Sequence, residues 1–144
     1  MLDKLPVNPQ TNQRPGLPVN VVRWAIAQVV SAVVYMKQHK VAHRDLCPAN
    51  MLVEMRQGKT SAVKITDFGS SRFMDVQPPL TMSRRGTAAY VAPEVFEGVS
   101  GQPPAIDPYA AYMWSLGVST YELLTNRLPV RNALERICIC SVHT

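Results

Sequence analysis

An α+β fold, mainly helical, is what the sequence predicts, on three observations. Residues 20–39 form a long apolar stretch free of glycine and proline, and residues 109–125 form a second apolar stretch, introduced by Asp107-Pro108. Between them lie two short runs of strand formers, Met51-Leu52-Val53 and Val63-Lys64-Ile65, joined through the turn-rich Arg56-Gln57-Gly58-Lys59. The expected architecture is a helical lobe carrying one small β-hairpin. A chain of 144 residues fits one ordinary domain with a buried core, and 47% hydrophobic against 17% charged residues is a globular balance.

Each element has its own justification. Residues 1–19 contain Pro6, Pro9, Pro15, Gly16 and Pro18 among Asn and Gln, a composition expected to form a linker. From Asn20 to His39 many residues are β-branched, which locally favours a strand, but about twenty residues without a break favour a helix. Its polar stripe, Asn20, Arg23, Ser31 and Gln38, is narrow, so cover over most of the circumference is expected. A short segment at Lys40–Ala42 and a polar loop lead to the hairpin, which places Asp67 immediately after a strand. Residues 70–90 lack a period and form a long loop of the functional kind. Asp107 can accept from free backbone N–H groups and Pro108 is preset for the first helical position, so a helix is expected over Tyr109–Thr125. Only Ser115, Ser119, Glu122 and Asn126 make a polar line on it, which predicts a central buried helix. The main folded unit is expected over 20–130, with 131–144 a truncated tail.

Composition disfavours several functions. The net charge of +5 is spread along the chain without a dense basic run or interleaved stacking aromatics, so no nucleic-acid partner is expected. Three cysteines make no disulfide framework, and Met1-Leu2-Asp3-Lys4-Leu5-Pro6 is no signal peptide, so a reducing, cytoplasmic location is expected. The most apolar run, residues 21–36, is interrupted by Arg23 and Gln28 and is shorter than the ~20 residues that span a bilayer; no membrane span is expected. Cys138, Cys140 and His143 invite a zinc reading, but a Cys-X-Cys pair offers too few well-spaced ligands. The seven methionines are scattered and suit core filling.

The chemistry concentrates in His43-Arg44-Asp45-Leu46-Cys47-Pro48-Ala49-Asn50 and Asp67-Phe68-Gly69. Phosphoryl transfer from a nucleotide needs a carboxylate to orient the attacking hydroxyl, oxygen ligands for Mg²⁺, and positive charge near the transferred phosphate. Asp45 and Asn50 share one loop while Asp67 arrives from the end of a neighbouring strand, so the three can converge. Two carboxylates and an amide are hard donors that suit Mg²⁺ better than zinc.

His43-Arg44-Asp45 with Asn50, Thr66-Asp67-Phe68-Gly69, Gly86-Thr87-Ala88-Ala89-Tyr90-Val91-Ala92-Pro93-Glu94 and Trp114-Ser115-Leu116-Gly117-Val118 resemble, in order and spacing, the C-terminal lobe of a eukaryotic protein kinase. The resemblance covers roughly residues 17–130. It implies that Asp45 is the catalytic base for the substrate hydroxyl, that Asn50 binds a second Mg²⁺, and that Asp67 binds the Mg²⁺ bridging the phosphates of ATP. It further implies that Asp67 to Glu94 is an activation segment. Gly86-Thr87 followed by Tyr90 resembles the Ser/Thr-specific class, in which the Thr87 hydroxyl would bond to Asp45. Arg44 would pair with a phosphate on Thr81 or Ser83, and His43 would be a packing residue supporting the loop. The implied partners are a protein substrate or a partner kinase.

Against that pattern stand several departures. Cys47 occupies the place of a lysine and cannot supply its charge; as a redox sensor it would need a depressed thiol pKa. Tyr112 stands where the family has an aspartate holding the catalytic-loop backbone, so a less rigid loop is expected. Glu94 would lack its usual downstream arginine, which is costly for a half-buried carboxylate. Nothing before residue 20 resembles a Gly-rich nucleotide loop or the strand lysine for the α/β-phosphates, so the N-terminal lobe is expected to be absent and the chain alone inactive. The alternatives are a pseudokinase-type interaction module and an incomplete gene product with exposed apolar helices.

Overall fold

The computed structural model describes residues 15–74, 87–97 and 107–129. In chain order the elements are α1 (Val19–Gln38), β1 (Val41–Ala42), β2 (Met51–Arg56), β3 (Lys59–Ile65), β4 (Arg72–Phe73), α2 (Pro93–Glu97) and α3 (Pro108–Thr125). Strands β1 and β4 pair antiparallel, as do β2 and β3. The result is a mainly helical lobe with two small antiparallel sheets.

The expected hairpin is present and longer than its apolar runs. Gln57 and Gly58 both adopt positive φ, 50° and 73°. Such a two-residue turn matches the right-handed strand twist, so pairing runs from Met51↔Ile65 out to Arg56↔Lys59, with a register shift between Glu54 and Met55. The β1–β4 pair lies beyond the sequence prediction, because two-residue strands carry no readable period.

Helix α1 starts after Pro18, whose carbonyl accepts from Val21 (2.9 Å) and Val22 (3.0 Å). It buries Val22, Ala25, Val29 and Met36, and the Val63 amide donates to Gln28 Oε1 at 3.0 Å, locking the helix to β3. Among the described residues the expected cover over most of its circumference is not found: Val19 is 71% exposed and Tyr35 62%. The helix meets β1, β3 and α3 on one side, so the opposite valines face outward. The length argument against a membrane span also needs correction, since all 20 residues are helical and 18 consecutive ones have a mean hydropathy of 1.5, enough by length and composition alone to cross a bilayer. The bond from Val63 to Gln28 and the packing of Val22 against Leu17 and Leu123 build this helix into the lobe.

Helix α3 has the predicted cap, the Asp107 carboxylate accepting from the Tyr109 amide at 2.9 Å. Its other end closes on Asn126 in the left-handed region, φ 55°, with the Asn126 amide donating to Glu122 O at 2.7 Å. The polar line of this helix faces inward. Ser115 and Ser119 are buried while Met113 is 70% exposed. The reason is the chain that packs on this face: Ser115 Oγ donates to Tyr90 O at 2.7 Å, and Tyr90 Oη donates to Glu122 at 2.5 Å. Two apolar clusters flank these bonds, Leu17 with Val22 and Leu123, and Ala92 with Val95 and Ala111.

Glu94 lies in the first turn of α2 and is exposed. The expected penalty for a half-buried carboxylate therefore does not arise; water and the positive end of the helix both favour the charge.

Candidate active site

The hairpin register assembles the site. Met51 pairs with Ile65, so Asn50, just before β2, lies beside Thr66, just after β3, and the Thr66 amide donates to Asn50 O at 2.9 Å. Asp67 follows directly. The three predicted residues Asp45, Asn50 and Asp67 therefore come from two chain segments stitched at one point.

Asn50 also closes the loop on itself. Its Nδ2 donates to the Asp45 carbonyl at 2.8 Å and to Asp45 Oδ2 at 3.2 Å, while its amide donates to Cys47 O at 3.0 Å. The other carboxylate oxygen, Asp45 Oδ1, accepts from the Thr87 amide at 2.8 Å. Thr87 is thus brought to Asp45 as expected, but through its backbone N–H. Its hydroxyl instead lies 3.8 Å from Cys47 Sγ.

His43 has the supporting role anticipated for it. It is wholly buried, its Nε2 donates to Thr66 O at 2.9 Å, and its Nδ1 accepts from the Asp45 amide at 3.3 Å. This pair of bonds places the ring proton on Nε2. Phe68 meets the ring edge-on, with centroids 4.8 Å apart.

Arg44 is buried, and its Nε donates to Ser70 O at 2.6 Å, tying the Asp45 loop to the chain after Asp67-Phe68-Gly69. Its proposed phosphate partners, Thr81 and Ser83, lie outside the described residues, as do Cys138, Cys140 and His143. Arg44 and Asp67 both have positive φ, 68° and 60°. Strain of this kind persists where surrounding bonds over-determine the backbone. For Asp67 one such bond is Gly69 N–H to Oδ1 at 3.2 Å.

Tyr112 overturns an expectation. The Arg44 amide donates to its hydroxyl at 3.1 Å, so the loop keeps an anchor on α3 even though no carboxylate stands at that position. Burial pushes the phenol up to about 12. The native fold then holds the proton where the unfolded chain, titrating near 10, has lost it. Its contribution is full below pH 10 and declines as pH rises toward 12, a window worth about 3 kcal/mol at roughly 1.4 kcal/mol per unit. Tyr90, raised by burial and by Glu122, acts in the same direction. Urea midpoints at pH 9 and pH 11.5 are expected to differ less in Tyr112→Phe than in the wild type.

Sequence reasoning missed this anchor, along with Ser70, Ser115 and Glu122. One available signal was the pair Tyr109 and Tyr112 on a helix predicted to be buried, because buried phenols need hydrogen-bond partners.

The donor set suits Mg²⁺ carried by a nucleotide. The Asn50 amide nitrogen is committed to Asp45, which leaves its oxygen for a cation, and the Asp67 carboxylate is exposed. No cluster of three His, Cys, Asp or Glu able to hold a metal occurs among the described residues. Mg²⁺ does not require one, since it commonly takes one or two carboxylates plus phosphate oxygens and water.

The chain resembles known proteins over most of its length. The family model described as protein kinase domain matches residues 5–141. A probable myosin light chain kinase of Dictyostelium discoideum is 42% identical over 106 residues, covering 72% of this chain and 25% of its own. The carbon catabolite-derepressing protein kinase of Candida tropicalis is 38% identical over 117 residues, covering 81% of this chain and 17% of its own. The serine/threonine-protein kinase SIK1 of Mus musculus is 37% identical over 113 residues, covering 78% and 13%. The chain thus spans a quarter or less of the length of these three relatives.

Proposed function

The chain belongs to the protein kinase family, and on that premise we propose that it is a Ser/Thr-type catalytic lobe in which Asp45 orients the hydroxyl of a protein substrate. Asn50 and Asp67 would hold Mg²⁺, and MgATP would supply the γ-phosphate. The observation that carries this reading is the stitching of Asn50 to Thr66 and of Asn50 to Asp45, which joins the loop of Asp45 and Asn50 to the segment that leads directly into Asp67. The bound metal would neutralise charge developing on the phosphates. Asp45 would accept the substrate proton on the carboxylate that Thr87 and Asn50 orient. The relative named a serine/threonine-protein kinase supports Ser and Thr as acceptors.

These 144 residues by themselves are proposed to be inactive. Position 47 offers a buried thiol where the transferred phosphate needs a cation, and the sequence contains no Gly-rich nucleotide loop. The purified chain given MgATP and a Ser/Thr peptide is expected to transfer no phosphate. Turnover that Asp45→Ala abolishes would contradict the inactivity. The second reading, a module that binds a kinase or its substrate without chemistry, is favoured by the same thiol at position 47.

A further inference from the structure

Helix α3 presents two tyrosines one turn apart to a single stretch of backbone. Tyr109 Oη donates to Val41 O at 3.3 Å, and Tyr112 Oη accepts from the Arg44 amide at 3.1 Å. The rings meet edge-on, centroids 5.8 Å apart, and Lys37 Nζ of α1 lies 5.3 Å from the centre of the Tyr109 ring. Residues 41–44 are therefore held at both ends by phenols from one rigid helix. The held stretch includes Arg44, whose φ of 68° is unfavourable for a residue with a Cβ. Directly after it comes Asp45.

We propose that Tyr112 is the positioning residue for Asp45, its hydroxyl fixing the left-handed turn at Arg44 that directs the carboxylate toward Thr87 and Asn50. The assignment rests on the kinase reading only for what Asp45 does; the clamp itself is independent of it. A neutral phenol suits the task because it accepts backbone N–H bonds without burying a charge, which a carboxylate in the same place would do. A phenol also reaches farther from its own backbone than a carboxylate. In this lobe Tyr112→Asp is therefore expected to fall short of the Arg44 amide.

Cys47, two residues beyond Asp45 and 1% exposed, is a built-in reporter of the clamp. Labelling of the purified chain with a maleimide, resolved by peptide mass spectrometry, distinguishes Cys47 from Cys138 and Cys140. Tyr112→Phe keeps the ring and removes only the hydroxyl. It is expected to label at Cys47 roughly tenfold faster than wild type, the scale of effect of leaving a buried N–H unpaired. Helical content and the rates at the other two thiols should not change. An unchanged Cys47 rate overturns the proposal. So does equal acceleration at all three thiols with loss of helical signal, which makes Tyr112 a stability residue. Native-state amide exchange of the wild type gives a test independent of any variant. The Arg44 amide should exchange as slowly as those of α3, and exchange at the rate of an exposed loop amide overturns the clamp. Neither readout uses nucleotide or phosphate transfer, so this proposal and the kinase reading fail separately.

Discussion

In a form of this protein that also carries a nucleotide-binding lobe, Cys47→Lys is expected to raise phosphate transfer roughly 100-fold, the scale of one preorganised electrostatic contact to the transition state. The oxygen-bearing groups are in place around the gap: Asp45 is bonded to Thr87 and Asn50, and Asn50 is bonded to Thr66. What the loop lacks is positive charge beside the phosphate. Cys47 points its sulfur at Thr87, which is exposed, so a longer side chain has a route outward along it. Steady-state rates with a Ser/Thr peptide give the comparison. A gain of this size identifies an enzyme with one lost contact, while no gain assigns the chain to the interaction-module reading.

Gly16→Ala is expected to destabilise the lobe by about 3 kcal/mol, the upper part of the range for overpacking. A Cβ at position 16 would lie 1.7 Å from Leu124 O and 2.1 Å from Leu124 C, both backbone atoms that no rotamer change can move. The neighbouring Leu17 amide donates to Leu123 O at 2.7 Å, and Leu17 packs on Val22 and Leu123. Relief would require the chain before α1 to lift away from α3, breaking that bond and opening the cluster. In a thermal melt the loss corresponds to a fall of about 10 °C for a domain of this size. A shift under 2 °C would mean that the close approach of Gly16 to α3 is not part of the native fold.

These two cases mark where the sequence could be read and where it could not. Asp107-Pro108 announced the start of α3 because capping chemistry is local, and the Asp45, Asn50 and Asp67 set was legible because it lies on one loop and just after the hairpin that follows it. The tight packing of Gly16 and Leu17 was hidden in a proline-rich stretch with the composition of a linker; only the tertiary partner, α3, reveals it. The inward turn of Ser115 and Glu122 was invisible for the same reason, since amphipathic reading assigns polar groups to water unless a partner such as Tyr90 is known. Tyr112 is the clearest case. Measured against the family pattern it is a lost carboxylate, yet an acceptor is defined by where its oxygen arrives, and this one meets a backbone amide 68 residues away in sequence.

The central claim is that Asp45, Asn50 and Asp67 form one site built for a metal-bound nucleotide. Its most direct test is paramagnetic broadening of the backbone amide signals by Mn²⁺ with ADP. The account predicts that the signals of Asn50 and Asp67 broaden first and that Asn50→Ala together with Asp67→Ala removes the effect. Uniform broadening across the chain, or broadening that survives both substitutions, would contradict it.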